Sequence, residues 1–188
     1  ENDKFSIIND NNDIYQLNTF YNYKHRGMEL SALEYFNNNI YTFCDRSGII
    51  YNINKKNKTS LLNIIKTGNG ILSNKPFKAE WSTIKDNILY IGGSGKEWVE
   101  NKEIIHYDHL WIKTIDKNNN INHIDWTNNY NAIRKYLNAT YPAYIIIEAI
   151  AWDNRLNKWL IAPRRISYTP YNQENDLYKG SNILIIAN

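Results

Sequence analysis

Three residues have the types and spacing that suggest chemistry most directly: Ser31, Glu80 and Glu148. Glu80 follows Ser31 by 49 positions, and Glu148 follows Glu80 by 68. Each lies in one of three segments that can be laid over one another, Glu29 to Tyr41, Ala79 to Tyr90 and Ile147 to Trp159. In every copy a polar residue opens a strand, a turn follows, and an aromatic closes a second strand ten or eleven positions later. The copies read as hairpins, and their separation is that of propeller blades carrying loop insertions. Residues at one radial position of such blades converge near one mouth of the central channel. Two carboxylates and a hydroxyl there, completed by carbonyls and waters, suit a hard cation with six to eight oxygen ligands, and Ca2+ fits best. The flanks of Glu148, Ile145-Ile146-Ile147 and Ala149-Ile150-Ala151-Trp152, are apolar, so its carboxylate needs a partner there.

Other side chains offer phosphate chemistry. Arg164-Arg165 follows Pro163 at the end of the third hairpin and Arg26 precedes the first repeat; guanidinium groups fork onto phosphate oxygens. Gly92-Gly93-Ser94-Gly95-Lys96-Glu97 resembles the tail of a phosphate-binding P-loop. Tyr90 stands where its first glycine is required and no helix pattern follows, so it reads as a glycine-rich hairpin loop that can bring Lys96 and Glu97 to a ligand. Asp45 sits in the turn Cys44-Asp45-Arg46-Ser47-Gly48. His106, Asp108, His109 and His123 do not read as zinc ligands, because His106 and His109 are expected on opposite faces of one strand. Trp81, Trp152 and Trp159 are expected in the core; Trp98 and Trp126 adjoin polar loops and are candidates to stack on a base, with core packing the default for both.

The elements that must position these groups are short. Apolar or β-branched runs at 39–43, 48–53, 87–91, 110–115, 158–162 and 183–186 alternate with Asn, Asp, Gly and Lys clusters, which predicts an all-β fold. One short helix is expected near 128–138, capped by Thr127-Asn128-Asn129. At 188 residues, against ~150 per domain, the chain holds roughly one domain, and hydrophobic content of 43% with 14% aromatics gives it a core. Three repeats fall short of the ~4–8 blades that close a propeller, so residues 1–188 are expected to form a single partial β-propeller domain of about three to four blades. Its open strand edges favour a homo-oligomer or missing C-terminal blades. The net charge of +3, from 22 basic and 19 acidic residues without a basic run, indicates no nucleic-acid partner. No apolar stretch approaches the ~20 residues of a membrane-spanning helix, and ENDKFSIIND has no targeting pattern. Cys44 is the single cysteine, so no intramolecular disulfide forms. Asparagine, about a sixth of the chain, lengthens loop tips, and the sequons at Asn57 and Asn138 are expected by chance in such a composition.

Taken in order, Arg26-Gly27-Met28-Glu29-Leu30-Ser31, Phe77-Lys78-Ala79-Glu80-Trp81, Gly92 to Trp98, Trp126 with Asn129-Tyr130-Asn131-Ala132, Glu148 with Ala151-Trp152, Pro163-Arg164-Arg165 and Lys179-Gly180-Ser181-Asn182 resemble the calcium-activated nucleotidase (apyrase) family. The landmarks run from about Phe5 to Ala187. The resemblance implies a five-bladed β-propeller with a central Ca2+ beneath a nucleotide cleft, hydrolysing nucleoside di- and triphosphates of the UDP, GDP and ADP type. It implies Ser31, Glu80 and Glu148 as metal ligands, and Asp45, Glu80 and Arg164 as the catalytic set, with Asp45 on the attacking water. Arg26, Lys96, Glu97, Trp98 and Arg165 are then substrate-binding. It points to a secreted protein or one of the secretory pathway.

Ala32 stands where the family has an acidic residue, His25 where a glycine is usual, and the chain stops at Asn188 before the family's last blades. A partial site with little turnover of its own is therefore expected. The alternative to the enzyme is a noncatalytic calcium-binding propeller fragment acting as an interaction module; a more remote one is a five-bladed glycosidase with paired carboxylates, which would work without metal.

Overall fold

The computed structural model describes residues 16–21, 23–54 and 59–188. The sequon asparagine Asn57 lies outside them. Among the described residues the chain is all-β apart from two short helices, and its sheets are antiparallel. The first sheet is a meander of β1 (Leu30–Phe36), β2 (Asn39–Cys44), β3 (Ile49–Ile53) and β4 (Thr59–Ile64). The second joins β5 (Trp81–Lys85), β6 (Ile88–Gly92), β9 (Trp111–Ile115) and β10 (Ile121–Asp125); a separate hairpin, β7 (Trp98–Glu100) with β8 (Glu103–His106), interrupts it. The third has β11 (Tyr144–Asp153), β12 (Lys158–Ser167) and β13 (Ile185–Ala187). All three expected hairpins are present, and five of the six apolar runs fall on strands; of the run 183–186 only Ile185 and Ile186 do, in β13.

Local chemistry explains the hairpins. The turns Asn37-Asn38 and Asp86-Asn87 have both central residues at positive φ, 49° and 60°, 51° and 59°. Asn and Asp tolerate that region, and its twist matches the flanking strands. Alternation then sorts the side chains. On β6, Leu89 and Ile91 enter a cluster with Phe43 and Ile50 of the first sheet and Phe77 of the β4–β5 connection, while Tyr90 faces a second cluster built on Trp81, Ile112, Tyr130, Ile145 and Ile147. The inner strands are also tied by side chains: Ser82 Oγ on β5 donates to Glu34 Oε1 on β1 (3.3 Å), and Thr83 Oγ1 accepts from the Trp152 amide on β11 (2.9 Å).

Helix α1 (Thr127–Tyr136) falls where expected, but its entry is held differently: the Thr127 amide donates to Asp125 Oδ1 (2.9 Å), and Tyr130 and Ile133 face the core. A second turn of helix, α2 (Gln173–Asp176), was not expected; Asn172 Oδ1 caps it by accepting from the amides of Glu174 and Asn175. Trp126, in the link between β10 and α1, packs its ring among Trp81, Tyr130 and Trp159 at 5.4–5.5 Å, as core packing requires.

The loop between β4 and β5 leads toward Glu80 and is latched from below by Lys113 of β9, which is fully buried and donates to the Gly68 carbonyl. Burial lowers its pKa to about 8, with only Asp108 acting in the opposite sense. The folded state therefore sheds this proton near pH 8 and the unfolded chain near 10.5, so stability rises as pH climbs through that window. We expect a rise on the order of 2 kcal/mol by pH 10 in urea unfolding, and its absence in Lys113→Met.

Candidate active site

Ser31, Glu80 and Glu148 line one open groove of about 410 Å³ between the inner strands β1, β5 and β11. Each sits where the ladder of its strand is interrupted. Leu30 pairs with Cys44 and Ala32 with Phe43, which leaves Ser31 as the extra residue of a bulge. Ile147 pairs with Pro163 and Ala149 with Ala162, so Glu148 is likewise extra, and Arg164 is skipped on the facing strand. Glu80 immediately precedes β5, its amide bonded to the Gly92 carbonyl (2.8 Å). Bulges re-aim side chains, and they are frequent beside active sites.

The carboxylates have basic partners. Lys78, two positions before Glu80 along an extended chain, pairs with Glu80 Oε1 and lies 3.8 Å from Asp45 Oδ2. Burial raises the Glu80 pKa; Lys78 opposes this, while Glu148 and Asp45 add to it by repulsion. Burial also raises Asp45, against Lys78 and Arg46. Asp45 Oδ1 is buried and has no hydrogen-bond partner among the described residues. Arg164 Nη1 donates to Glu148 Oε1 at 2.5 Å. Asp45 is placed by the β2–β3 turn. There Gly48, at φ +67°, passes so close to Ile65 that a Cβ would lie 2.3 Å from its carbonyl oxygen.

The remaining expected residues are distributed around this centre. Arg26 pairs with Glu29, which also accepts from Arg46 Nε at 2.9 Å. Arg165 turns away from Arg164 toward Asp176, with Nε 3.5 Å from Oδ2. Lys96 donates to the Glu97 carbonyl (3.2 Å) and lies 4.5 Å from the ring centroid of Tyr171. Glu97 points inward to Arg134. Trp98 stacks parallel on His106, centroids 6.1 Å apart, with Lys75 over its ring.

The glycine-rich loop serves packing as well as presentation. A Cβ at Gly92 would lie 2.0 Å from the Trp81 ring, and the Gly93 carbonyl accepts from Trp81 Nε1 (3.0 Å) and the Tyr130 hydroxyl (3.2 Å). His106 and His109 do not fall on opposite faces of one strand: a 3-10 turn, Asp108–Leu110, brings their rings to 5.6 Å. Sequence reasoning left out Lys78, Glu29 and Arg46 as members of the site. Lys78 stands within the Phe77 to Trp81 run and on the side of the chain that carries Glu80, which was the available signal.

The oxygens of Ser31, Glu80 and Glu148 are hard donors of the kind Ca2+ takes, and the buried Glu80, whose ionised form is disfavoured, would be stabilised by a cation. Among the described residues no three His, Cys, Asp or Glu side chains are gathered closely enough to hold a metal ion by themselves. A bound ion would therefore need Ser31 and carbonyls to complete its shell. No helix among the described residues is long and apolar enough to cross a membrane.

The profile of the Apyrase family matches residues 1–188. An apyrase of Cimex lectularius is 38% identical over 97% of this chain and 50% of its own length. Soluble calcium-activated nucleotidase 1 of Mus musculus is 39% identical over 87% of this chain and 40% of its own length. Apyrase apy-1 of Caenorhabditis elegans is 37% identical, over 87% and 46%. The chain thus spans about half the length of the curated relatives it matches. With the family profile matched end to end and a groove that joins Ser31, Glu80 and Glu148 to basic side chains, the chain belongs to the Apyrase family.

Proposed function

We propose that this protein is a calcium-dependent nucleotidase, that its sheets are blades of a β-propeller, and that the groove between β1, β5 and β11 holds the phosphates of a nucleoside di- or triphosphate. The observation that carries the reading is the convergence of Ser31, Glu80 and Glu148, from three separate hairpins, on one groove whose carboxylates face Lys78 and Arg164. Its relatives' names add nucleotidase activity and calcium activation.

Ser31, Glu80 and Glu148 would hold the ion. Bound Ca2+ would supply neutralisation of phosphate charge. Asp45 presents a buried carboxylate oxygen without a partner, suited to orient a water and take its proton. As the water oxygen bonds to the terminal phosphorus, the bridging P–O bond breaks, its electron pair stays on the bridging oxygen of the departing, shortened nucleotide, and the terminal phosphoryl becomes inorganic phosphate. Arg164, Lys78 and Lys96, with Arg26 and Arg165 farther out, take up charge on the phosphate oxygens. Arg164 and Lys78 are held in place by Glu148 and Glu80, so part of the cost of ordering them is already met before substrate arrives. A secreted or secretory-pathway location belongs to the same proposal and is supported by the "soluble" nucleotidase relative.

The test is release of inorganic phosphate from UDP, GDP and ADP with calcium, with magnesium and with chelator. Release is expected with calcium and is lost with chelator. Equal release in all three conditions, or none with calcium, overturns the proposal.

A further inference from the structure

A second cavity, about 430 Å³, shares strand β11 with the groove and is lined by Lys96, Asn101, Lys102, Tyr141, Tyr144 and Tyr171. Three tyrosines are an unusual concentration of aromatic surface around one opening. Tyr141 donates its hydroxyl to the Lys102 carbonyl (2.6 Å), which ties the β7–β8 turn across one side. Tyr144 and Tyr171 meet edge to face at 5.4 Å on the other. The Tyr144 hydroxyl bonds Asp176 Oδ1 at 2.7 Å, and Asp176 also faces Arg165, the neighbour in sequence of the groove-side Arg164.

Lys96 stands between the two. Its ammonium has one carbonyl and two ring faces, Tyr171 at 4.5 Å and Tyr144 at 5.9 Å, as partners. Ring faces hold a partly exposed cation weakly, and a phosphate oxygen competes well with them. Tyr144 precedes Glu148 by four positions on β11. At the strand rise that is ~13 Å, a span suited to a nucleoside diphosphate laid along the strand.

Building on the nucleotidase reading, we infer that the tyrosine-lined cavity receives the base of the nucleotide whose phosphates lie at Glu80 and Glu148. The base stacks against Tyr171, Lys96 bridges toward the phosphates, and the Asn101 amide, with donor and acceptor together, meets the base edge. Trp98, the aromatic that sequence position favours for stacking, is on the other face of β7 and lies against His106; Glu97 and Val99 are the β7-side residues that line the cavity.

Calorimetric titration in calcium of the α,β-methylene analogue of UDP against methylenediphosphonate, which has no base, separates the two subsites. Wild type is expected to bind the nucleotide analogue about 5- to 150-fold more tightly, Tyr171→Ala to lose that preference with methylenediphosphonate affinity unchanged, and Tyr171→Phe to keep it. Equal affinities in wild type, with methylenediphosphonate still bound, overturn the base site and leave the nucleotidase reading standing. Equal weakening of both ligands in Tyr171→Ala also overturns it, since the tyrosine would then act only through Lys96. If neither ligand binds, both readings fall together.

Discussion

Glu97→Gln is expected to lower the midpoint of thermal unfolding by roughly 6–20 °C, corresponding to about 3–5 kcal/mol. The Glu97 carboxylate is paired with Arg134 of α1, and both side chains are almost wholly buried. Arg134 also donates to the Gly95 carbonyl at 2.9 Å, while its Nε is buried without a partner. Glutamine fills the same space and its amide oxygen still accepts, but it leaves a guanidinium in the interior with neutral acceptors and no counter-charge, and an uncompensated buried charge is the costly outcome. Arg134→Met alone does comparable damage from the other side. Glu97→Gln with Arg134→Met removes both charges and is expected to recover most of the loss, because a buried ion pair replaced as a unit is often nearly neutral. Differential scanning calorimetry of the three variants distinguishes this from a ligand-facing glutamate, for which Glu97→Gln would unfold close to wild type.

Glu97 illustrates where the sequence was legible and where it was not. The hairpin repeats were legible because each depends on local chemistry: Asn-Asn and Asp-Asn turns and period-two alternation occupy a dozen residues and need no distant information. The correspondence of Ser31, Glu80 and Glu148 followed from aligning those repeats, and all three line one groove. Which way a charged side chain turns next to a glycine-rich loop is decided by what packs there from far along the chain. Glu97 meets Arg134 across 37 positions, and no local pattern announces that pairing. The same applies to Arg165, whose partner Asp176 sits on a helix too short to leave a periodic signature. His106 and His109 were misplaced for a different reason: one 3-10 turn breaks the strand periodicity on which the opposite-face expectation rested. Trp126 packs as the default for a large aromatic has it, although its neighbours in sequence are polar, because its neighbours in space are Trp81, Tyr130 and Trp159.

Asp45→Asn is expected to reduce kcat for calcium-dependent phosphate release by roughly 10²–10⁴-fold, with KM and calcium affinity near wild type. The two side chains have the same shape, and the Asp45 amide, bonded to the Glu29 carbonyl at 3.0 Å, is unaffected, so the β2–β3 turn keeps its geometry. Lys78 loses a carboxylate at 3.8 Å but keeps Glu80. What disappears is the ability of a buried, unpartnered oxygen to accept a proton from water, since an amide oxygen is far too weak a base. An interaction made only in the transition state lowers kcat and kcat/KM together, whereas one that merely holds phosphate raises KM with kcat retained. The second pattern in Asp45→Asn would transfer Asp45 from the attacking water to the electrostatic support of Lys78. Steady-state kinetics with UDP, beside a calcium titration followed by tryptophan fluorescence, separates the two. The fluorescence arm has a built-in reporter, because Trp81 adjoins Glu80 and its ring rests against Gly92 in the loop that carries Lys96.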